Sequence, residues 1–165
     1  ATAVRFYWRC ILATGADGSL YCADPGAACV ARVDRDGLMT AVAGIPYHLG
    51  FAVDAGSHRA TATAIGRPVG LVAGVRDDLY ILEAPGRQVL KVDCRGILTI
   101  AAGCGWPIGG GEGGPAARAC LQSPNAIAVD PAGRLYIADA GQARIYRVES
   151  NGILRTFVQG GRRFR

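Results

Sequence analysis

The sequence has few of the residues that most enzymes and metal sites use. Only two histidines, His48 and His58, occur in 165 residues, and no Cys-x-x-Cys pair is present. A Cys/His zinc site needs about four such ligands at suitable spacing, so we expect no metal and no cofactor. The Gly-x-Ser-x-Gly elbow of serine hydrolases is also missing from the sequence. We therefore expect no catalytic residues and a protein that is not an enzyme.

Lysine is nearly absent, and long hydrophobic runs are absent altogether. Half of the residues are hydrophobic, yet no apolar run approaches the roughly 18 residues that span a membrane. One lysine stands beside 17 arginines, and the net charge is +5. Such a balance could suit RNA, anionic glycans or acidic proteins, but scattered arginines are typical of a solvated surface. Only Arg162, Arg163 and Arg165 cluster, in a basic tail (162–165) that offers possible contact residues.

An internal repeat is the strongest positive signal. The dipeptides Leu20-Tyr21, Leu79-Tyr80 and Leu135-Tyr136 lie 59 and then 56 residues apart. Each tyrosine precedes the valine of the next apolar run by 12 residues in all three units. A fixed period of this size indicates a repeat architecture.

Each unit contains four short apolar runs separated by Asp-Gly, Pro-Gly, Arg-Gly, Ala-Gly or Asn-Gly turns. The runs are too short for helices, and several do not alternate, which is typical of strands buried on both faces. The pattern predicts an all-β fold of three four-stranded antiparallel β-propeller blades. A β-helix is the alternative, but its coils are shorter than this period. The predicted strands are 11–14, 19–23, 29–34 and 38–43, then 71–75, 78–83, 88–93 and 97–102, then 126–130, 134–138, 144–149 and 153–158.

Residues 109–160 carry motifs of a known family. The stretch reads GGGEGGPAARACLQSPNAIAVDPAGRLYIADAGQARIYRVESNGILRTFVQG. It has a glycine-rich loop with an acid, a proline before strand A, Ala-Val-Asp, Leu-Tyr-Ile-Ala-Asp, Arg-Ile and a Gly-terminated last strand, and so resembles an NHL repeat. The resemblance extends over about residues 11–161 and implies NHL-type blades. In blade three, Asp139 and Arg144 would form a structural pair across the B–C hairpin, whereas blade one has Cys29 in place of Arg144.

The predicted organisation is an N-terminal strand or linker (1–10), three blades (11–44, 45–103 and 104–161) and the basic tail. A propeller typically closes with 4–8 blades. Three blades make an incomplete propeller unless another chain or segment completes it, because two sheet faces stay open. We therefore expect a protein partner or self-association that completes the ring.

Six cysteines suggest disulfides. Cys104 and Cys120 bracket the glycine-rich loop, and Cys22 and Cys29 flank the Pro25-Gly26 turn, where a hairpin would place them opposite each other. Two such bonds would indicate an oxidising compartment, hence a secreted or cell-surface protein. Six buried free thiols are the alternative, compatible with the cytosol.

Two functions remain from these observations. The first is a non-catalytic interaction or structural module that uses a propeller face to bind protein or glycan partners outside the cell. The second is an RNA-binding NHL propeller in the cytosol. A third alternative, a fragment of an amidating-lyase-like enzyme, requires metal ligands from outside this segment.

Overall fold

The computed structural model describes residues 9–106 and 110–160, which form thirteen strands in three antiparallel sheets. Blade one contains β1 (Ile11–Thr14), β2 (Leu20–Asp24), β3 (Cys29–Val33) and β4 (Met39–Ala43). Blade two contains β5 (His58–Arg59), β6 (Pro68–Ala73), β7 (Leu79–Glu83), β8 (Gln88–Val92) and β9 (Ile97–Ala102). Blade three contains β10 (Pro124–Val129), β11 (Leu135–Asp139), β12 (Arg144–Val148) and β13 (Leu154–Gln159). Three short 3₁₀ turns follow β5, precede β10 and follow β11 (Ala60–Ala62, Ala116–Arg118 and Ala140–Gln142).

The predicted strands are confirmed with small shifts at their ends. The first strands of blades two and three begin earlier than predicted, at Pro68 and Pro124. Both prolines lie at the first position of a strand, where the missing N–H does not break the ladder. The predicted N-terminal strand at 3–8 and the basic tail at 162–165 lie outside the described residues.

Recurring acidic residues close the turns at one end of the sheets. In the turn after β8, the Asp93 carboxylate accepts hydrogen bonds from the backbone N–H groups of Arg95 and Ile97, each at 2.9 Å. The carboxylates of Asp34 and Asp130 accept bonds from the N–H groups two and four residues later in the same way. These acids are therefore turn-stabilising groups, which agrees with their recurrence in the repeat.

The blades stack side by side, with β1, β6 and β10 as their innermost strands. Both β1 and β10 lie beside β6. Successive residues of β7 point to opposite faces of blade two. Leu79 and Ile81 pack in the core shared with blade one, whereas Tyr80 and Leu82 pack in the core shared with blade three. Blade two is therefore buried on both faces, which explains its nearly continuous apolar strands.

The three blades form an incomplete propeller. Two interblade cores are present among the described residues, one on each side of blade two. Within residues 9–106 and 110–160, blades one and three each have one face without a neighbouring blade.

Candidate interaction surface

One end of the arc is built from the connectors that lead from each blade to the next. Residues 44–67 and 103–123 join successive blades, and the turns between the second and third strands lie against them. The N–H of Tyr47 donates to the carbonyl of Ala27 at 2.8 Å, and the N–H of Ala140 donates to the carbonyl of Ser123 at 3.0 Å. We call this end the connector face; it comprises residues 25–28, 44–67, 84–87, 103–106, 110–123 and 140–143.

The connector face contains an open groove of about 680 Å³ between the two connectors. Phe51 from the first connector and Trp106 from the second lie in it, with exposed fractions of 79% and 69%. Asp54 and Arg118 line the same groove and supply one charge of each sign. The groove is therefore an aromatic surface with a polar rim.

A disulfide between Cys104 and Cys120 fixes the second connector, as predicted. Their Cα atoms are 5.0 Å apart, and Cys120 also forms a β-bridge with Gly110. The bond ties the start of the second connector to Cys120 near its end. The groove is lined by Cys104 itself, so the disulfide is part of the surface it stabilises.

Buried polar contacts hold the first connector in a comparable way. The Gln88 side chain accepts from the Val53 N–H at 2.8 Å and donates to the Val53 carbonyl at 2.9 Å. The first residue of the third strand in blade three, Arg144, reaches the second connector through Glu112 at 3.2 Å. Sequence reasoning did not identify Gln88 or Glu112 as anchors. Their position in the repeat could have identified the anchoring residues of the third strands. Cys29, Gln88 and Arg144 each begin the third strand of their blade.

The predicted Cys22–Cys29 disulfide is wrong. Both cysteines are free and buried. In the β2–β3 hairpin, Cys22 faces Ala31, and Cys29 faces Asp24. The turn contains four residues rather than two, so the ladder places the two cysteines out of register. Burial raises the pKa of both thiols, which keeps them protonated and unreactive.

Asp139 and Arg144, predicted as a structural pair across the B–C hairpin, do face each other there, but through the backbone. The two residues are backbone partners in the β11–β12 ladder. The buried Asp139 carboxylate instead accepts hydrogen bonds from four backbone N–H groups. These come from Gln122 at 2.7 Å, Ser123 at 2.9 Å, Gly141 at 3.1 Å and Gln142 at 3.3 Å. A buried carboxylate needs several donors, and the connector and the turn after β11 each supply two backbone N–H groups.

A buried carboxyl group ends the second strand of every blade. Asp24, Glu83 and Asp139 occupy equivalent positions and are each less than 2% exposed. Glu83 has the least compensation: its Oε1 accepts from the Gly66 N–H, and its Oε2 has no hydrogen-bond partner among the residues that the structure describes. Desolvation therefore raises the pKa of Glu83 from 4.5 to about 7, although the bond from Gly66 opposes the shift.

Five of the thirteen arginines in the described residues are ion-paired. Arg32 pairs with Asp17, Arg95 with Asp93 at 2.9 Å, and Arg134 with Asp130 at 2.7 Å. Arg144 and Arg147 pair with glutamates as well. A second groove, of about 450 Å³ between blades one and two, is lined by two of these pairs, so its charges largely neutralise each other. The tail arginines Arg162, Arg163 and Arg165 lie outside the described residues.

The two histidines contact different partners. His48 contacts the carbonyl of Pro46, and His58 contacts Asp54 at 3.1 Å. Within residues 9–106 and 110–160, no three His, Cys, Asp or Glu side chains come together in a metal-binding group. The same residues include no helix long and apolar enough to cross a bilayer.

Sequence comparison agrees with the architecture. A family model described as the teneurin NHL domain matches residues 107–163, which is blade three with its connector. The chain is built from NHL-type β-propeller blades. A comparison with curated protein sequences gives no match.

Solved propellers resemble the NHL blades in fold. Virginiamycin B lyase from Staphylococcus aureus is 21% identical with a TM-score of 0.55, covering 88% of this chain and 39% of the lyase. A gluconolactonase from Xanthomonas campestris is 16% identical with a TM-score of 0.63, covering 94% and 48%. An auxiliary nutrient binding protein from Bacteroides ovatus is 20% identical with a TM-score of 0.66, covering 91% and 38%. At these identities the likeness concerns the fold alone, and the chain spans less than half the length of each neighbour.

Proposed function

We propose that this chain is a non-catalytic interaction module that binds a protein partner outside the cell through the groove of its connector face. The observation that carries the proposal is the pair of exposed aromatic side chains, Phe51 and Trp106, in one groove. Each lies on a connector that side-chain contacts or a disulfide hold in place.

The composition of the groove supports a protein partner. Aromatic residues and arginine are enriched at the centres of protein interfaces, where tryptophan and arginine frequently dominate the binding energy. Phe51, Trp106 and Arg118 are of these types and line one groove. Anchoring through Gln88 and through the disulfide reduces the entropy that the connectors would lose on binding.

The disulfide supports a location outside the reducing cytosol. Structural disulfides persist in secreted, cell-surface and periplasmic proteins and are rare in the cytosol. The Cys104–Cys120 bond joins a connector that carries many glycines and therefore has much conformational freedom to lose.

The distribution of charge favours a protein over RNA. RNA-binding surfaces use arginine and lysine side chains that neutralise phosphates. Here Arg32, Arg95, Arg134, Arg144 and Arg147 already pair with carboxylates.

The carboxylates of Asp93 and Asp130 accept hydrogen bonds from backbone N–H groups in turns. This structural use leaves them unsuited to acid–base chemistry.

Site-specific photocrosslinking tests the proposal. A benzophenone amino acid replaces Phe51 in the full chain, which is expressed through an oxidising secretory route. The protein is then irradiated together with cells of its source organism and their culture medium. We expect a discrete adduct with a second protein, and we expect that adding Trp106→Ala reduces its yield about tenfold.

Leu38 supplies the matched control. It is 62% exposed and lies in a turn at the end of the sheets opposite the connector face. The same photoreactive group at Leu38 should give no such adduct. Equal adducts from both positions, or an adduct with RNA or carbohydrate instead of protein, would contradict the proposal.

A further inference from the structure

Among the described residues, one face of blade three has no neighbouring blade; this face, here called the trailing face, is largely apolar. Cross-strand partners share a face of a sheet, so the register defines its members. They are Ala126, Ala128, Tyr136, Ala138, Ile145, Arg147, Arg155 and Val158, with Phe157 on the same face against Tyr136. Phe157 packs edge-on against Tyr136, with ring centroids 5.1 Å apart.

The corresponding face of blade two shows what covers such a surface. Tyr80, Leu82, Val89 and Ala102 hold the same register positions there, and the sheet of blade three buries them to 9% exposure or less. On blade three, Ile145, Phe157 and Val158 remain 37%, 53% and 39% exposed. The trailing face of blade three therefore has the composition of an interblade surface without the blade.

The opposite end of the arc carries the complementary surface. In blade two, the face toward blade one presents Leu71, Leu79, Val92 and Leu98, which are buried in the shared core. The same register positions of blade one are Leu12, Leu20, Val33 and Met39. On this surface, here called the leading face, Leu12 is 58% exposed, whereas Cys22 and Ala31 are already buried.

We propose that the trailing face of one copy of this chain docks on the leading face of a second copy, so that two arcs close one ring. Each chain carries both surfaces, and the two interfaces would repeat contacts that the chain already makes between its own blades. Six blades lie within the range in which propellers close. The single chain covers 48% of the Xanthomonas gluconolactonase, so two copies together match the length of that structurally similar propeller.

Two charged residues lie on the trailing face, Arg147 and its ladder partner Arg155, and the placement of Arg147 fits this interface. Arg147 pairs with Glu149 and lies over the Phe157 ring at 5.4 Å. Its counterpart in blade two, Lys91, pairs with Asp78 at 2.7 Å and lies over the Tyr80 ring at 5.8 Å. The internal interface thus already accommodates a paired cation at this position. The connector face takes no part, so the inference stands apart from the proposed function.

Light scattering with size-exclusion chromatography tests the docking. The full chain, with its disulfide formed, should have twice the 17.1 kDa mass of one copy at micromolar concentration. Phe157→Glu and Leu12→Glu place a charge in the interface from its two sides, and each should weaken the dimer at least about tenfold. Both positions are exposed within one copy, and circular dichroism should show unchanged sheet content.

Mixing the two variants tests the head-to-tail arrangement. A Phe157→Glu chain keeps its leading face, and a Leu12→Glu chain keeps its trailing face, so the mixture contains one intact interface and should recover dimers. The control Leu49→Glu changes a residue 49% exposed on the first connector and should leave the dimer unchanged. A monomer for the unchanged chain, or a dimer insensitive to both face variants, would overturn the proposal.

Discussion

Glu83 makes the stability of blade two depend on pH. Its carboxyl group is fully buried at the end of β7, and no described residue forms a hydrogen bond with its Oε2. Burial raises the pKa of Glu83 from 4.5 to about 7. Since one pKa unit corresponds to about 1.4 kcal/mol, ionising this group in the folded chain costs roughly 3 kcal/mol more than in the unfolded chain.

The sign of the effect follows from proton linkage. Below pH 4.5 the carboxyl is protonated in both states, and its full contribution to the free energy of unfolding is present. As the pH rises, the unfolded chain loses the proton first, so stability falls until the pH passes the folded pKa of about 7. We expect the free energy of unfolding to fall by about 2–3 kcal/mol between pH 5 and pH 8.

Glu83→Gln tests this account, because glutamine imitates the neutral carboxyl and does not titrate. Urea unfolding measured across this pH range should show that the variant lacks the fall seen in the unchanged chain. Glu112→Gln is the control: hydrogen bonds from Thr156 lower the pKa of Glu112, so its contribution is lost only as the pH falls toward acid values. If the Glu83→Gln variant keeps the same pH dependence, the buried carboxyl is not its origin.

Two further predictions concern the connectors. Cys104→Ser opens a link across 16 residues and should lower the free energy of unfolding by about 3 kcal/mol, as measured by chemical denaturation. Cys10→Ser changes a free, exposed cysteine and should have little effect; equal losses would refute the role of the bond. Asp139→Asn weakens four hydrogen bonds from backbone donors and should cost about 2 kcal/mol. Arg144→Ala removes an exposed ion pair and should cost less than about 1 kcal/mol; a loss as large as that of Asp139→Asn would support a direct pair between these residues.

Sequence reasoning predicted the strands because their signals are local. Apolar runs, turn glycines and the repeated Leu-Tyr dipeptides locate all twelve principal strands within about three residues of their observed ends. It also placed the Cys104–Cys120 bond correctly, since the two residues bracket one loop. It missed β5, because a two-residue strand has no periodicity and forms only by pairing with β9.

The error at Cys22–Cys29 came from the register of one hairpin. The prediction assumed a two-residue turn, whereas the turn has four residues and pairs Cys22 with Ala31, because the turn conformation sets the register. Asp139 and Arg144 do face each other in their ladder, but their side chains bind other groups. The Asp139 carboxylate then found its donors in Gln122 and Ser123, which are far from it in sequence.

The sequence by itself determined the kind and number of the blades, because the repeat of apolar runs and turns is written in local order. The tertiary structure alone decided how these units meet. It brought Phe51 and Trp106 into one groove from two connectors, buried Glu83 beside Gly66, and left Leu12 of blade one and Phe157 of blade three exposed. Burial and the meeting of distant residues depend on how whole sheets stack, and no local pattern contains that information.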